Sequence, residues 1–503
     1  MHLSELMKVS ATKSNAMSTL PNVYGGRDPN VVGIASDSRE VRPGYIFAAL
    51  PGIDVDGINF VEEAVSRGAV AIITQNSSKC RKISPKTTII ETSNPRLELA
   101  KLAACFFHDQ PDYIAAVTGT NGKTSVVDFV RQMWIALGYN AASLGTLGLK
   151  DRNALELSGL TTPDTVKLHK TLKSLCDSQV DYLALEASSH GLDQFRIDGV
   201  KISVAAFTNL TQDHLDYHKN MQTYFKAKMR LFSELLIETG TAVLNFDAPE
   251  FEMLEQICHA RGIRVISFGS SNGADIQLLE TKPFPSHQEI KIKIFNIEYQ
   301  IELMLLGKFQ IFNSLTALGI VLATQKENDV AFLVNELKNL TGVAGRLECV
   351  TARNSPAPII VDYAHTPDAL KNALLSLRAH VSNRIICVFG AGGERDKSKR
   401  QIMGQVAKEH ADLCLITDDN PRSENPKIIR DQILDGCPKG ISIEGRRNAI
   451  EFGISQLRDG DLLLIAGKGH ETTQEINGQK INFNDVEVVQ EILKSTEGFR
   501  HEK

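Results

Sequence analysis

No apolar run in the sequence reaches the roughly 18 residues that a membrane helix needs, so nothing predicts insertion into a bilayer. Residues 1–20 contain no apolar signal-peptide core, and the expectation is a cytoplasmic protein. Blocks of about five or six like charges are absent, and Lys plus Arg (55) nearly balance Asp plus Glu (60) for a net charge of -5. That balance gives no electrostatic reason to expect a nucleic-acid partner. The eight cysteines (Cys80, Cys105, Cys176, Cys258, Cys349, Cys387, Cys414 and Cys437) form no C-x-x-C pair, which favours reduced, structural thiols. Fixed-period repeats and low-complexity tracts are also missing.

What the chain does have is size and rhythm. Its 503 residues, 42% of them hydrophobic, exceed what one core holds and predict about three domains. Short β-branched runs alternate with stretches of helical spacing, which predicts parallel sheets with helical crossovers, an α/β class. Residues 1–110 form the first segment, with strands at 31–36, 45–50, 69–74 and 87–90 and helices at 59–67 and 96–108. Residues 111–343 form the second, with strands at 114–117, 182–187, 204–210 and 241–246, an antiparallel patch at 289–295 and 299–305, and helices from 313 to 324 and on to about 340. Residues 344–503 form the third, with strands at 358–364, 384–390, 413–417 and 462–467 and helices at 367–379, 398–410 and 426–435. In open α/β sheets, ligands bind at the carboxyl ends of such strands.

The sharpest motif follows the strand run at 114–117: Gly119, Thr120, Asn121, Gly122, Lys123, Thr124 and Ser125, and then a helical stretch. Glycines let backbone N–H groups approach phosphate oxygens, and a helix N-terminus favours anions. Lys123 would reach the β- and γ-phosphates of ATP, and the Thr124 hydroxyl would sit on Mg²⁺. The standard phosphate-loop spacing would need glycine at Val117, so this loop is a tighter variant.

Glu186 ends another strand run and suits a hard cation beside phosphates. His214 and His218 lie at i, i+4, but a zinc-protease helix would carry Glu where Leu215 stands. Lys226 and Lys228 follow in a helical stretch, and their spacing does not choose between them.

The Gly119–Ser125 loop, the Asp213–His218 string, Gly345-Arg346-Leu347-Glu348 and the 362–368 segment together resemble the Mur ligase family, ATP-dependent ligases that extend a peptide. The resemblance spans about residues 31–490. It implies three domains: a Rossmann-like N-terminal uridine-nucleotide domain, a central P-loop-type ATPase domain with a mostly parallel sheet, and a Rossmann-like C-terminal domain for the amino acid. It implies Lys123, Glu186, His214, Lys228 and Arg346 as catalytic residues, with Lys228 carrying a carbamate formed with CO₂. Carbamate formation needs a neutral amine and hence a burial-depressed pKa. Thr124, Glu186 and His214 would face Mg²⁺, while Asn313, Arg346, Asp362 and Tyr363 would join the loop in binding ATP. Gln310 stands where the family usually has Asn.

The resemblance also implies the substrates. Segments at 36–39, 47–52 and 56–57 are similar to the uridine-nucleotide domain of the diaminopimelate-adding members. Ser38, Thr161, Thr162, Ser188, Gln194 and Arg196 would bind UDP-N-acetylmuramoyl-L-alanyl-D-glutamate. Asp419, Asn420, Pro421 and Arg422 match the motif that selects meso-diaminopimelate, joined by Arg395, Gly467 and Glu471. This amino acid differs from lysine by one carboxylate, which a planar guanidinium binds through two parallel hydrogen bonds. Glu394 and Ser398 depart from the family's Asp and Gly. The expectation is a monomeric enzyme of peptidoglycan synthesis. Its rivals are an L-lysine-adding ligase, a folylpolyglutamate or cyanophycin type of ligase, and a non-catalytic nucleotide-binding protein.

Overall fold

The computed structural model describes residues 1–12, 21–25, 28–52, 55–83, 87–151, 155–156, 160–324, 330–351 and 355–500. They fall into two compact units, Met1–Phe268 with Gly319–Asn328, and Gly269–Leu318 with Asp329–Lys503.

The first unit holds two sheets. In the N-terminal one, Gly33–Ala35, Tyr45–Ala48, Ala71–Thr74 and Thr88–Glu91 run parallel in that spatial order, and Asn22–Tyr24 closes the edge antiparallel to Thr88–Glu91. The second sheet lines up Arg264–Gly269, Leu236–Asn245, Ile202–Phe207, Tyr113–Thr118, Tyr182–Glu186 and Ala141–Gly145, all parallel, with short antiparallel strands Gly148–Lys150 and Leu155–Glu156 at the end. Its central strands are buried along nearly their whole length, Tyr182–Glu186 throughout and Ile202–Phe207 except at Ser203, which is why they read as nearly continuous apolar runs.

Helices cover the faces. Thr165–Asp177 starts where the Asp164 side chain accepts the Lys167 N–H, and its apolar stripe of Leu168, Leu172 and Leu175 packs with Leu183 and Leu185. Lys123–Ala136 buries Val126, Phe129, Val130, Met133 and Trp134, and the indole of Trp134 donates to Thr324 Oγ1.

In the second unit, Ile276–Pro283, Gln288–Ile294 and Ile297–Leu303 make the antiparallel patch, in which the middle strand alternates buried and half-buried residues. A six-stranded sheet orders Glu348–Cys349, Ile359–Asp362, Leu462–Ala466, Ile385–Phe389, Leu413–Ile416 and Ile441–Ser442, parallel except at the first pair. Helix Pro367–Arg378 begins at proline with Thr366 as its cap, a usual start for a helix.

The α/β class and the parallel sheets hold, and the differences lie mostly at the ends of elements. The segment 59–67 divides into a 3₁₀ turn, Gly57–Phe60, and a short helix, Val61–Ser66. Residues 208–210 leave the strand at Phe207, because their polar groups turn to hold the neighbouring loop. Helix Leu3–Thr12 and strand Ala141–Gly145 lack a strong sequence signal; of the N-terminal residues, 13–20 and 26–27 lie outside the described ones.

One ion pair is central to the second unit. Arg446 and Asp485 are both fully buried and joined by two hydrogen bonds of 2.7 and 2.8 Å, while Arg446 Nη2 also donates to the carbonyl of Ala466. The pair ties the starts of two helices to the end of a central strand. Removing Asp485 leaves the buried Arg446 guanidinium with only the more distant carboxylate of Asp419, 4.0 Å from Nη1. Asp485→Ala should therefore lower unfolding free energy by about 3–5 kcal/mol in a urea titration. A loss below about 1 kcal/mol would show that water reaches Arg446.

Candidate active site

The Gly119–Ser125 loop leaves the central strand Tyr113–Thr118, whose neighbours are Tyr182–Glu186 on one side and Ile202–Phe207 on the other. Glu186 and the Thr208–Asn209 corner therefore flank it by topology. Gly119 (φ 146°) and Gly122 (φ 88°) have positive φ, and a Cβ on Gly119 would lie 1.9 Å from Thr208 Oγ1. Thr208 Oγ1 donates to the Asn121 carbonyl at 2.7 Å, and Asn209 Oδ1 accepts the Asn121 N–H at 2.9 Å. The loop is thus held from outside, and Gly122 caps the helix Lys123–Ala136. Lys123 Nζ donates to the carbonyls of Gly119 (2.9 Å) and Thr120 (2.8 Å).

Glu186 is buried and receives the Thr146 N–H at 2.8 Å and its hydroxyl at 3.2 Å. Burial pushes its carboxyl above the usual range, opposed by Lys123, Thr146 and the Thr124 hydroxyl. A divalent cation would compensate that burial, and a carboxylate beside the Thr124 hydroxyl is a hard-oxygen donor pair that fits Mg²⁺. No group of three or more His, Cys, Asp or Glu gathers as a metal site among the described residues. The remaining ligands would be phosphate oxygens and water, as Mg²⁺ prefers.

Lys228 is buried and Lys226 exposed. Lys228 Nζ donates to the Gly119 carbonyl at 2.8 Å and lies 4.5 Å from the centre of the Tyr224 ring. Burial, with Lys123 nearby, lowers its pKa to about 6. Tyr224 also places its hydroxyl 3.2 Å from Thr120 Oγ1. His214 has a left-handed backbone (φ 51°), is exposed, and stands edge-on to His190 (4.9 Å) and to Tyr224 (6.2 Å).

Five residues expected to bind the sugar-peptide meet beside Glu186. Thr162 Oγ1 donates to the Glu186 carbonyl (2.8 Å) and lies 3.0 Å from Ser188 Oγ. Thr161 accepts from Thr146 Oγ1 at 3.1 Å. Arg196 donates to the Thr162 carbonyl (2.8 Å) and, through Nη2, to Gln194 Oε1 (2.7 Å). Ser38 stands apart in the 3₁₀ turn Ser38–Glu40 that follows the strand Gly33–Ala35, where its hydroxyl donates to Glu63 at 2.7 Å.

The second unit brings together the other expected residues. Asn313 donates to Gln310 Oε1 (2.9 Å), and Gln310 Nε2 reaches the Arg346 carbonyl at 3.5 Å, so the departure at Gln310 bridges to the Arg346 backbone. The Arg346 guanidinium lies 5.1 Å from the centre of the Tyr363 ring, and Asp362 accepts the N–H groups of Leu347 and Ala364, each at 2.8 Å.

Around the 419–422 segment, Asn420 (φ 43°) and Arg422 (φ 53°) both adopt left-handed backbone. Asn420 Nδ2 donates to Glu471 Oε2 at 2.9 Å, and Arg422 Nη1 to the Gly393 carbonyl at 2.6 Å. Burial works against ionised Glu471, but Lys468 at 3.0 Å and Asn420 hold it below the usual carboxylate range. Asp419 is buried, and a Cβ on Gly467 would lie 2.3 Å from its Oδ2. Gly393 packs where a Cβ would meet the Pro421 carbonyl at 2.0 Å. Arg400, fully buried, grips Glu424 with two bonds of 3.0 Å and donates to the Gly392 carbonyl, which fixes the loop bearing exposed Arg395. That grip and the Glu394 N–H hold Glu424 down at about 2. Ser398 donates to Asp396 at 2.6 Å at the start of the following helix.

Sequence reasoning passed over Thr146, Gly145, Tyr224 and Arg400. Tyr224 lies one helical turn before Lys228, a spacing that could have revealed it. Gly145 has no such signal, although a Cβ there would meet Glu186 Oε1 at 2.1 Å.

Family models match the chain along its length: Mur ligase family, catalytic domain at residues 30–119, Mur ligase middle domain at 117–321, and Mur ligase, glutamate ligase domain at 345–469. A UDP-N-acetylmuramoyl-L-alanyl-D-glutamate--2,6-diaminopimelate ligase of Mesorhizobium japonicum is 43% identical over 467 residues, covering 93% of this chain and 96% of its own. The chain belongs to the Mur ligase family. The like-named Mur ligase of Caulobacter vibrioides is 43% identical over 96% of this chain and 99% of its own. A solved Mur ligase structure with the same ligase name matches with a TM-score of 0.74 and 30% identity over 99% of both chains. The fold is shared more widely with MurF of Thermotoga maritima in complex with ADP, at a TM-score of 0.59 and 19% identity over 94% of this chain and 100% of that one. Among the described residues of this Mur ligase, no helix is long and apolar enough to cross a membrane.

The Lys228 amine sets a pH dependence. Folded, it loses its proton near 6; unfolded, near the ordinary 10.5. Between these values the unfolded chain binds the extra proton, so this group makes stability rise with pH, by up to about 1.4 kcal/mol per unit. Lys228→Met should flatten that rise between pH 7 and 9 in urea titrations without CO₂. Parallel curves for the two proteins would show an ordinary lysine.

Proposed function

We propose that this chain is an ATP-dependent, ADP-forming ligase that joins meso-diaminopimelate to UDP-N-acetylmuramoyl-L-alanyl-D-glutamate in peptidoglycan synthesis, acting as a cytoplasmic monomer. The observation that carries the reading is the end-to-end identity with relatives of that name, combined with Arg422 and Glu471 beside one loop. Three parts divide the work: residues 1–110 take the uridine nucleotide through Ser38, 111–343 take ATP, and 344–503 bring the amino acid.

The Gly119–Ser125 loop holds the ATP phosphates on its N–H groups and helix N-terminus, and Asn313, Arg346, Asp362 and Tyr363 bind the rest of the nucleotide. Thr124 and Glu186, with His214 as a further expected ligand, would hold Mg²⁺, whose positive charge would offset that of the phosphates. Thr161, Thr162, Ser188, Gln194 and Arg196 orient the peptide so that its D-glutamate γ-carboxylate attacks the γ-phosphorus; the bond to the β–γ bridging oxygen breaks, ADP leaves and an acyl phosphate forms. Positioning and charge neutralisation are the main demands of phosphoryl transfer. The amine of diaminopimelate, placed by Arg395, Asp419, Asn420, Pro421, Arg422, Gly467 and Glu471, then attacks the acyl phosphate. The tetrahedral intermediate collapses to amide and phosphate.

Arg422 separates this reading from an L-lysine ligase, because lysine has no second carboxylate for the guanidinium. Phosphate release should depend on meso-diaminopimelate and be far slower with L-lysine. Arg422→Ala should raise the diaminopimelate KM by thirtyfold or more, from an estimated loss on the order of 2–5 kcal/mol, and leave ATP binding nearly unchanged. Equal release with both amino acids, or none with either, would sink the reading.

The family's carbamate is proposed for Lys228, and its buried amine with a pKa of about 6 supports the choice over exposed Lys226. Crystals of active enzyme should show density for a carboxyl group beyond Lys228 Nζ. A bare amine there would remove the claim.

A further inference from the structure

The guanidinium of Arg422 is already engaged by an acid of its own chain. Glu475, in the strand Thr473–Ile476, places Oε2 3.3 Å from Arg422 Nε. This contact is not what fixes the segment. Arg422 N–H donates to the Glu475 carbonyl (3.0 Å), Asn477 N–H to the Arg422 carbonyl (2.7 Å), and Glu475 N–H to Asn420 Oδ1 (2.9 Å). Arg422 Nη1 is held separately by the Gly393 carbonyl. The Glu475 carboxylate can therefore swing away while every one of these bonds remains. Its side chain is 33% exposed and that of Arg422 21%, so solvent and ligand reach the pair.

We propose that Glu475 is an internal competing anion that sets the affinity of this corner, occupying the Nε edge of Arg422 until a carboxylate of the incoming amino acid displaces it. The inference rests on the reading of Arg422 as the receptor for the distal carboxylate of diaminopimelate. A carboxylate that forms two parallel bonds outcompetes a single 3.3 Å contact, because the fork geometry favours it. A ligand that ends in a lone ammonium has nothing to offer the guanidinium, and Glu475 stays in place. Once displaced, Glu475 stays anchored by its N–H to Asn420, whose Nδ2 donates to Glu471.

Partly exposed ion pairs are weak, so the competition has a modest size, about two- to fivefold in apparent affinity. Glu475→Gln keeps the length and removes the charge, and Glu475→Ile also suits a strand. Both variants should lower the KM for meso-diaminopimelate about two- to fivefold. Neither should change kcat, the KM for ATP or the thermal midpoint. In an Arg422→Ala background, Glu475→Gln should have no effect on KM, because Glu475 acts only through that guanidinium. A purely structural Glu475 would raise KM and lower the thermal midpoint instead. An unchanged or raised KM in both variants, or the same fall without Arg422, would overturn the proposal. A wild-type enzyme without diaminopimelate-dependent phosphate release would overturn the underlying reading, and that result is distinct from any of the KM outcomes.

Discussion

Two lysine amines converge on one carbonyl oxygen, that of Gly119. Much of the first unit follows from that meeting. Burial penalises the charge of Lys228, the more buried of the two, the nearby Lys123 ammonium adds repulsion, and the Lys228 pKa falls to about 6. The carbonyl can point at both only because Gly119 has a backbone conformation open to glycine, pressed against Thr208. Thr208 and Asn209 in turn are free to hold the loop because their strand ends at Phe207. A glycine loop with a lysine at a helix start, a buried amine of lowered pKa and a buried acid thus meet at the ends of neighbouring strands.

The second unit solves a different problem. It holds cations and acids together, some in buried pairs and some in partly exposed ones. Its buried pairs are assigned to structure: Arg400 with Glu424 shapes the 392–400 loop, and Arg446 with Asp485 fixes the ends of a strand and two helices. The half-exposed charges, Arg422, Glu471 and Glu475, stay at the rim, where their energies are small and exchange is cheap.

Much of this was legible in the sequence, for a physical reason. Buried parallel strands must be apolar throughout, and the loops after them must carry the polar chemistry, so the Gly119 loop, Glu186 and the 419–422 segment all stand out. Contacts made by backbone or by small residues were not legible. Gly145 is an ordinary glycine until Glu186 is seen where its Cβ would be, and Thr146 matters through its N–H. Ser38 carries a motif, yet the hydroxyl is committed to Glu63, a pairing no local pattern encodes. Glu475 is invisible for the same cause: a hairpin return brings it to Arg422 from 53 positions away.

Arg422 and Asn420 adopt left-handed backbone, a region that side chains other than Gly, Asn and Asp enter at a cost. On the proposed function, the specificity of this site would be written in main-chain shape as well as in side-chain charge. A lineage drifting toward another amino acid cannot simply exchange Arg422 for a β-branched or bulky residue, because the backbone beneath it would be wrong for the newcomer. On that reading, a new substrate preference at this corner would have to suit the turn as well as the charge it carries.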